Sequence, residues 1–273
     1  MPDRSTESIA ADILLELETG LARAARPDPA APDGWRVDAG VQQAILALFA
    51  DRATRDWNLE GAFQFRDRVG LPLKDLLDSP EARAAQAAGK PWRVVPGGTT
   101  VRAGVYLAPG VTIMPPSYIN IGAWVAEGAM VDSHVLVGSC AQIGSRVHLS
   151  AGVQIGGVLE PPGRRPVIVE DEVFVGAQAA LLEGVLVKRA AVISAGVILT
   201  GTSRLYDLVN EQVIAGTLER PLVVPAAAVV VPGVRRVAGG FAEREGIALS
   251  AAVIVKYRDE RTDARVALQE ALR

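Results

Sequence analysis

MPPSYINIGAWVAEGAMVDSHVLVGSCAQIG, residues 114–144, is written in steps of six. Stepping from Ile119 meets Val125, Val131, Val137, Ile143, Leu149 and Ile155, then Pro161, Val167, Val173, Ala179, Val185, Ala191 and Val197. Of these 14 positions 11 are Ile, Leu or Val, where a chain with 75 such residues in 273 supplies about four by chance. Small or turn-tolerant residues follow the aliphatic, as at Asn120, Ala126, Asp132, Gly138, Gly144, Ser150 and Gly156. Two places before it stand Ala123, Ala129, Val135, Ala141, Val147 and Val153, which fit a crowded axis. A period of six with these columns is the hexapeptide signature of a parallel β-helix, three short strands and three turns to a coil. The expected class is mostly β.

Outward from that stretch, the six-residue phase is expected to persist from 155 to 167, with GGVLEPPGRRP extruded as a polar loop. It breaks at TSRLYDLVNEQVIAG, 202–216. VVPAAAVVV at 223–231 and IALSAAVIVKY at 247–257 read as strands, and ERTDARVALQEALR as a C-terminal helix closing the open coil end. Residues before the repeat read as helical. Ile9, Ile13, Leu14, Leu17 and Leu21 recur at helical spacing, and Asp38 is placed to cap a segment carrying Val41, Ile45, Leu46 and Phe49. EARAAQAAG after Pro80 has helix-forming composition, and RPDPAAPDG at 26–34 reads as a linker. The expected division is a helical N-terminal domain at 1–92, a β-helix at 93–231, and a C-terminal strand and helix extension at 232–273.

Composition narrows the function. With 28 Lys+Arg against 31 Asp+Glu and a net charge of −3, no large basic surface is available, and nucleic acid is not an expected partner. No stretch approaches 18 uncharged apolar residues, so no membrane span is expected. One cysteine, Cys140, cannot form an intrachain disulfide, and the acidic N-terminus does not read as a signal peptide. A cytoplasmic setting follows as an expectation. Because a β-helix buries what points inward, chemistry must use turn residues or grooves between subunits.

The words of the repeat carry a closer signal: WRVVPGG at 92–98, residues 114–144 as quoted, VHLSAGVQIGGVLEP at 147–161, and SAAVIVKY near the end. Together these resemble the tetrahydrodipicolinate N-succinyltransferase family, over roughly residues 92–257. The resemblance implies a left-handed coil, a homotrimer with active sites at subunit interfaces, and small-molecule substrates. It implies succinyl transfer from succinyl-CoA to the amine of ring-opened tetrahydrodipicolinate in diaminopimelate and lysine biosynthesis, without a metal. Carried over residue by residue, Arg93 meets a substrate carboxylate and Asp132 lies near the reacting amine. Both make chemical sense, since a guanidinium fork suits a dicarboxylate and the amine must lose a proton as it attacks a thioester.

One position departs from the family. GAQAALLEG places Ala180 where well-known members carry Glu, so that carboxylate is lost, replaced by Glu183, or supplied by water. Arg235 and Lys256 are candidates for the coenzyme A phosphates. Each residue also has an ordinary reading: Arg93 as a surface ion pair, Asp132 as a turn residue, Glu183 as an acid in an inward column, Arg235 and Lys256 as solvated cations. His134 and His148 read as packed or hydrogen-bonded imidazoles, and Cys140 as a buried small hydrophobe. The alternatives are an N-acyltransferase with another acyl-CoA or amino-dicarboxylate, and a scaffold without turnover. Two histidines are too few for a three-histidine metal site.

Overall fold

In the computed structural model, which describes residues 6–61, 63–159 and 164–259, the repeat forms a coil with three flat faces. The first face stacks Tyr106–Leu107, Trp124–Val125, Gln142–Ile143, Ile168–Val169, Leu186–Val187 and Val223–Val224 in parallel. The second carries Arg93–Val94, Thr112–Ile113, Met130–Val131, His148–Leu149, Phe174–Val175 and Val192–Ile193. The third carries Thr100–Val101, Tyr118–Ile119, Leu136–Val137, Gln154–Ile155, Ala180–Leu181 and Ile198–Leu199. Apart from the half-buried Val94 at the open end, each two-residue strand buries its second residue, and Val125, Val131, Val137, Ile143, Leu149 and Ile155 have no exposed surface. This is the parallel β-helix that the period of six predicts.

The phase does not run unbroken through the loop. Ile168–Val169 pairs with Gln142–Ile143, so the strand after Ile155 arrives eight residues late. From there the strand aliphatics are Val169, Val175, Leu181, Val187, Ile193 and Leu199, all buried. The column counted from Ile119 has become the small column of the axis, at Val167, Val173, Ala179 and Val185. An eight-residue insertion moves the count by two places, and both places point inward, so the aliphatic periodicity survives the slip. Pro161 lies outside the described residues.

The N-terminal part is more mixed than a helical reading allows. Helices α1 (Thr6–Glu18), α2 (Ala39–Ala47) and α3 (Pro80–Ala87) fall where expected, and Asp38 caps α2 by accepting the Val41 N–H at 3.1 Å. Between them lie two antiparallel pairs, Ala25–Pro27 with Trp35–Val37 and Thr54–Leu59 with Phe63–Arg68. Strand pairing therefore corrects the all-helical expectation for 1–92, and the expected linker at 26–34 is partly the first of these pairs. Leu14 and Leu17 of α1 and Ile45 of α2 form a second core with Ala103, Ile121 and Cys140 on the coil. Gly104 (φ +79°) permits this approach, since a Cβ there would lie 2.9 Å from Ile121 and 3.0 Å from Leu14. Leu21, beyond the helix end, is exposed.

The first face is covered. Arg23 lies over the Trp124 ring at 4.0 Å, Trp124 stacks on Tyr106 at 3.8 Å, and the Arg23 Nε donates to Gln142 Oε1 at 2.6 Å. Burial brings the Arg23 guanidinium down to about 10. At the far end the second face is extended by Ala228–Arg236, Ala248–Tyr257, Arg204–Asp207 and Gln212–Ala215, which bury Leu205 and Ile254 against the last coils. The expected strand at 247–257 is present, and the expected helix at 260–273 lies outside the described residues. Among the described residues, no helix is long and apolar enough to cross a membrane.

Candidate functional site

Arg93 opens the second face. It stands across Thr112 in the next coil, exposed, with its Nη2 3.4 Å from Met114 Sδ and no ion pair among the described residues. It lines a groove of about 880 Å³ with Lys74, Arg83 and Trp92. Lys74 is paired with Glu18 at 3.2 Å, and Asp75 and Asp78 also line the groove, where hydrogen bonds from the Asp78 and Leu77 N–H groups, and after them the charge of Arg83, lower the Asp75 pKa.

Asp132 follows strand Met130–Val131 at the corner between the second and third faces. Its backbone is fixed on both sides: the N–H donates to Leu149 O at 2.9 Å, and the carbonyl accepts from the Ser117 hydroxyl at 2.9 Å. Asp132 Oδ1 accepts the N–H of the next residue, Ser133, at 2.7 Å, and no cation is paired to it among the described residues. Arg93 and Asp132 thus share one edge, two rungs and two residues apart, about 12 Å between Cα atoms at ordinary strand spacing.

Glu183 is elsewhere. The phase shift takes it out of the inward column and into the corner between the third and first faces, exposed, at φ +53°. It lines a cavity of about 310 Å³ with Arg164, Arg165, Thr202, Thr217 and Glu219. Arg165 is structural there, donating to Gly184 O at 2.8 Å and to Pro221 O at 2.8 Å while paired with Asp33; burial lowers its pKa, and the Asp33 carboxylate opposes that. Ala180 sits between Gln154 and Ile198 on the third face. Within one chain a whole face and two rungs separate Asp132 from Glu183, so the fold does not bring the two carboxylates together.

The cofactor candidates also part. Arg235 stands across Leu249 and Lys256 across Val229, about 23 Å apart along the strand. Arg235 shares a groove of about 440 Å³ with Arg204, a residue in the segment where the repeat breaks that motif reading passes over. Of the remaining candidates His148 and Cys140 are packed, whereas His134 is exposed, which corrects the expectation of a packed imidazole there. His148 stacks on Phe174 at 5.2 Å, His134 is an exposed corner residue, and burial pushes the Cys140 thiol up to about 12.

No family model matches the chain. The 2,3,4,5-tetrahydropyridine-2,6-dicarboxylate N-succinyltransferase of Granulibacter bethesdensis is 44% identical over 257 residues, 94% of this chain and 86% of its own length. The enzyme of that name from Thioalkalivibrio sulfidiphilus is 43% identical over 277 residues, 99% of this chain and 92% of its own. Protein TabB of Pseudomonas amygdali pv. tabaci is 44% identical over 126 residues, 46% of this chain and 42% of its own.

Proposed function

The chain belongs to the 2,3,4,5-tetrahydropyridine-2,6-dicarboxylate N-succinyltransferase family, and from that membership we propose that it moves a succinyl group from succinyl-CoA to the amine of L-2-amino-6-oxopimelate, the open form of tetrahydrodipicolinate, in diaminopimelate and lysine biosynthesis. The amine nitrogen attacks the thioester carbonyl, the C–S bond breaks, coenzyme A leaves as its thiol, and an amide remains. Arg93, with an unpaired guanidinium in an open groove, holds a substrate carboxylate. Asp132 orients the amine and accepts or relays the proton it loses. Backbone amides of the corners steady the thioester oxyanion.

The observation that carries this reading is that Arg93 and Asp132, neither in an ion pair among the described residues, share one edge of the coil in the motifs that define the resemblance. Asp132 and Glu183 lie on different corners, so Glu183 could join Asp132 at the amine only from a neighbouring copy, and within one chain Asp132 acts without it. That arrangement supports a homotrimer whose sites lie between subunits. Arg235 and Lys256 take the charged end of the donor at two separate points, and the setting is the cytoplasm. Competing succinyl-CoA and acetyl-CoA with the acceptor, followed by mass analysis of the products, tests the donor: a succinylated product supports the reading, and acetylation alone overturns it.

A further inference from the structure

We propose that Met114 is a positioning residue for the acceptor: its thioether holds the Arg93 guanidinium at the edge of the coil that carries Asp132. The proposal rests on the reading of Arg93 as the carboxylate anchor and Asp132 as the proton acceptor, and it gives a task to MPPS at 114–117, a motif that this reading leaves unused.

Register places the residues. Arg93, Thr112 and Met130 stand opposite one another on successive rungs of the second face. Met114 follows Thr112–Ile113 as Asp132 follows Met130–Val131, so the two occupy the same corner on adjacent rungs, about 5 Å apart between Cα atoms at ordinary strand spacing. The Arg93 side chain starts one rung further back and reaches that corner, with its Nη2 3.4 Å from Met114 Sδ. The contact therefore brings the guanidinium closer to Asp132 than the two backbones stand.

The kind of contact suits the task. Arg66 and Arg146, also exposed, are held by the carboxylates of Asp56 and Glu172. Arg93 has no such partner among the described residues, and a weak acceptor on a polarisable side chain orients it instead. A carboxylate at this corner would neutralise the cation and compete with the substrate, whereas sulfur engages one nitrogen and leaves the other guanidinium donors to the ligand.

Met114 is itself fixed relative to Asp132. Its N–H donates to Val131 O at 2.8 Å, and its carbonyl lies 2.8 Å from the Ser117 hydroxyl, which also touches the Asp132 carbonyl. The Pro116 carbonyl accepts the His134 N–H at 2.6 Å. Pro115 packs on Gly97 (φ +139°) of the loop that follows Arg93, where a Cβ would come within 2.8 Å of the proline ring. The MPPS corner is thus the physical link between the two functional residues.

Steady-state kinetics of the full chain with tetrahydrodipicolinate and succinyl-CoA test the role in Arg93→Ala, Met114→Leu, Met114→Gln and the double variant Arg93→Ala/Met114→Leu. Leucine keeps the volume and removes the acceptor; glutamine restores an acceptor oxygen at similar reach. Met114→Leu is expected to raise the acceptor KM about fivefold, with kcat, the succinyl-CoA KM and the melting temperature close to wild type, and Met114→Gln to return the acceptor KM to within about twofold. In the Arg93→Ala background Met114→Leu is expected to add nothing, because its effect passes through Arg93. An acceptor KM that Arg93→Ala leaves unchanged overturns the reading of Arg93 and the proposal with it. Where Arg93→Ala does raise that KM, a value within about 1.5-fold of wild type in Met114→Leu overturns the proposal alone. So does an undiminished Met114→Leu effect in the Arg93→Ala background, or a fall in kcat and melting temperature with KM unmoved, which marks a packing role.

Discussion

The Ser117 hydroxyl lies 2.9 Å from the Asp132 carbonyl and 2.8 Å from the Met114 carbonyl, and it accepts the Val135 N–H at 3.3 Å. One buried side chain thereby ties together the same corner of two stacked coils at the proposed catalytic carboxylate. Ser117→Ala leaves these backbone groups without that partner, at a cost of about 1–3 kcal/mol. Urea unfolding is expected to show a lowered midpoint with an unchanged slope.

Asp207 closes the far end with a comparable device. Burial alone would raise its pKa, yet hydrogen bonds from Tyr257, Asn210 and Gln212 hold the carboxyl well below the usual carboxylate range. A depressed folded pKa contributes stability that is present above the unfolded value, about 3.9, and is lost as pH falls below it. Tyr257 is the converse: burial and the bond to Asp207 raise it to about 12, so its contribution is complete below about pH 10 and is lost as pH rises toward 12. Thermal melts from pH 2 to 12 should show both limbs. Tyr257→Phe should flatten the alkaline limb, and Asp207→Asn the acid one.

Ala180 has only Gln154 and Ile198 as strand neighbours on the third face. Ala180→Glu is expected to change kcat/KM with tetrahydrodipicolinate and succinyl-CoA by less than about tenfold, roughly 1.4 kcal/mol. A loss beyond a hundredfold would mean that the small residue makes room for a different acceptor, beside which a second carboxylate is costly.

The coil was legible because its aliphatic column keeps a single period of six over many turns, which the 3.6-residue period of a helix does not sustain. Its hand came only with the resemblance, since spacing is blind to chirality. The pair Thr54–Leu59 and Phe63–Arg68 was missed although Trp57, Leu59, Phe63 and Phe65 alternate with polar residues. That period of two spans only a few residues on each side of the turn and lies between helix-forming segments. Glu183 was misplaced for a different reason: an insertion of eight residues exchanges two inward columns, and composition cannot distinguish them. Arg93 and Asp132 came from motif positions, whereas Arg204 needed three strands, far apart in sequence, to be laid side by side.

Assembly is the next check. Light scattering at micromolar concentration should return three times the 28.7 kDa chain mass, because the coil presents three flat faces that can pack around a threefold axis and the family resemblance implies sites between subunits. A monomer mass would contradict the shared site.

The central claim, that Asp132 handles the proton of the attacking amine, is tested most directly by the turnover of Asp132→Asn. The amide preserves the corner and its bond to the Ser133 N–H but cannot take up the ammonium proton. The account predicts kcat down by a factor of about 100 or more, with coenzyme A affinity and melting temperature close to wild type; unchanged turnover in a folded Asp132→Asn enzyme would contradict it.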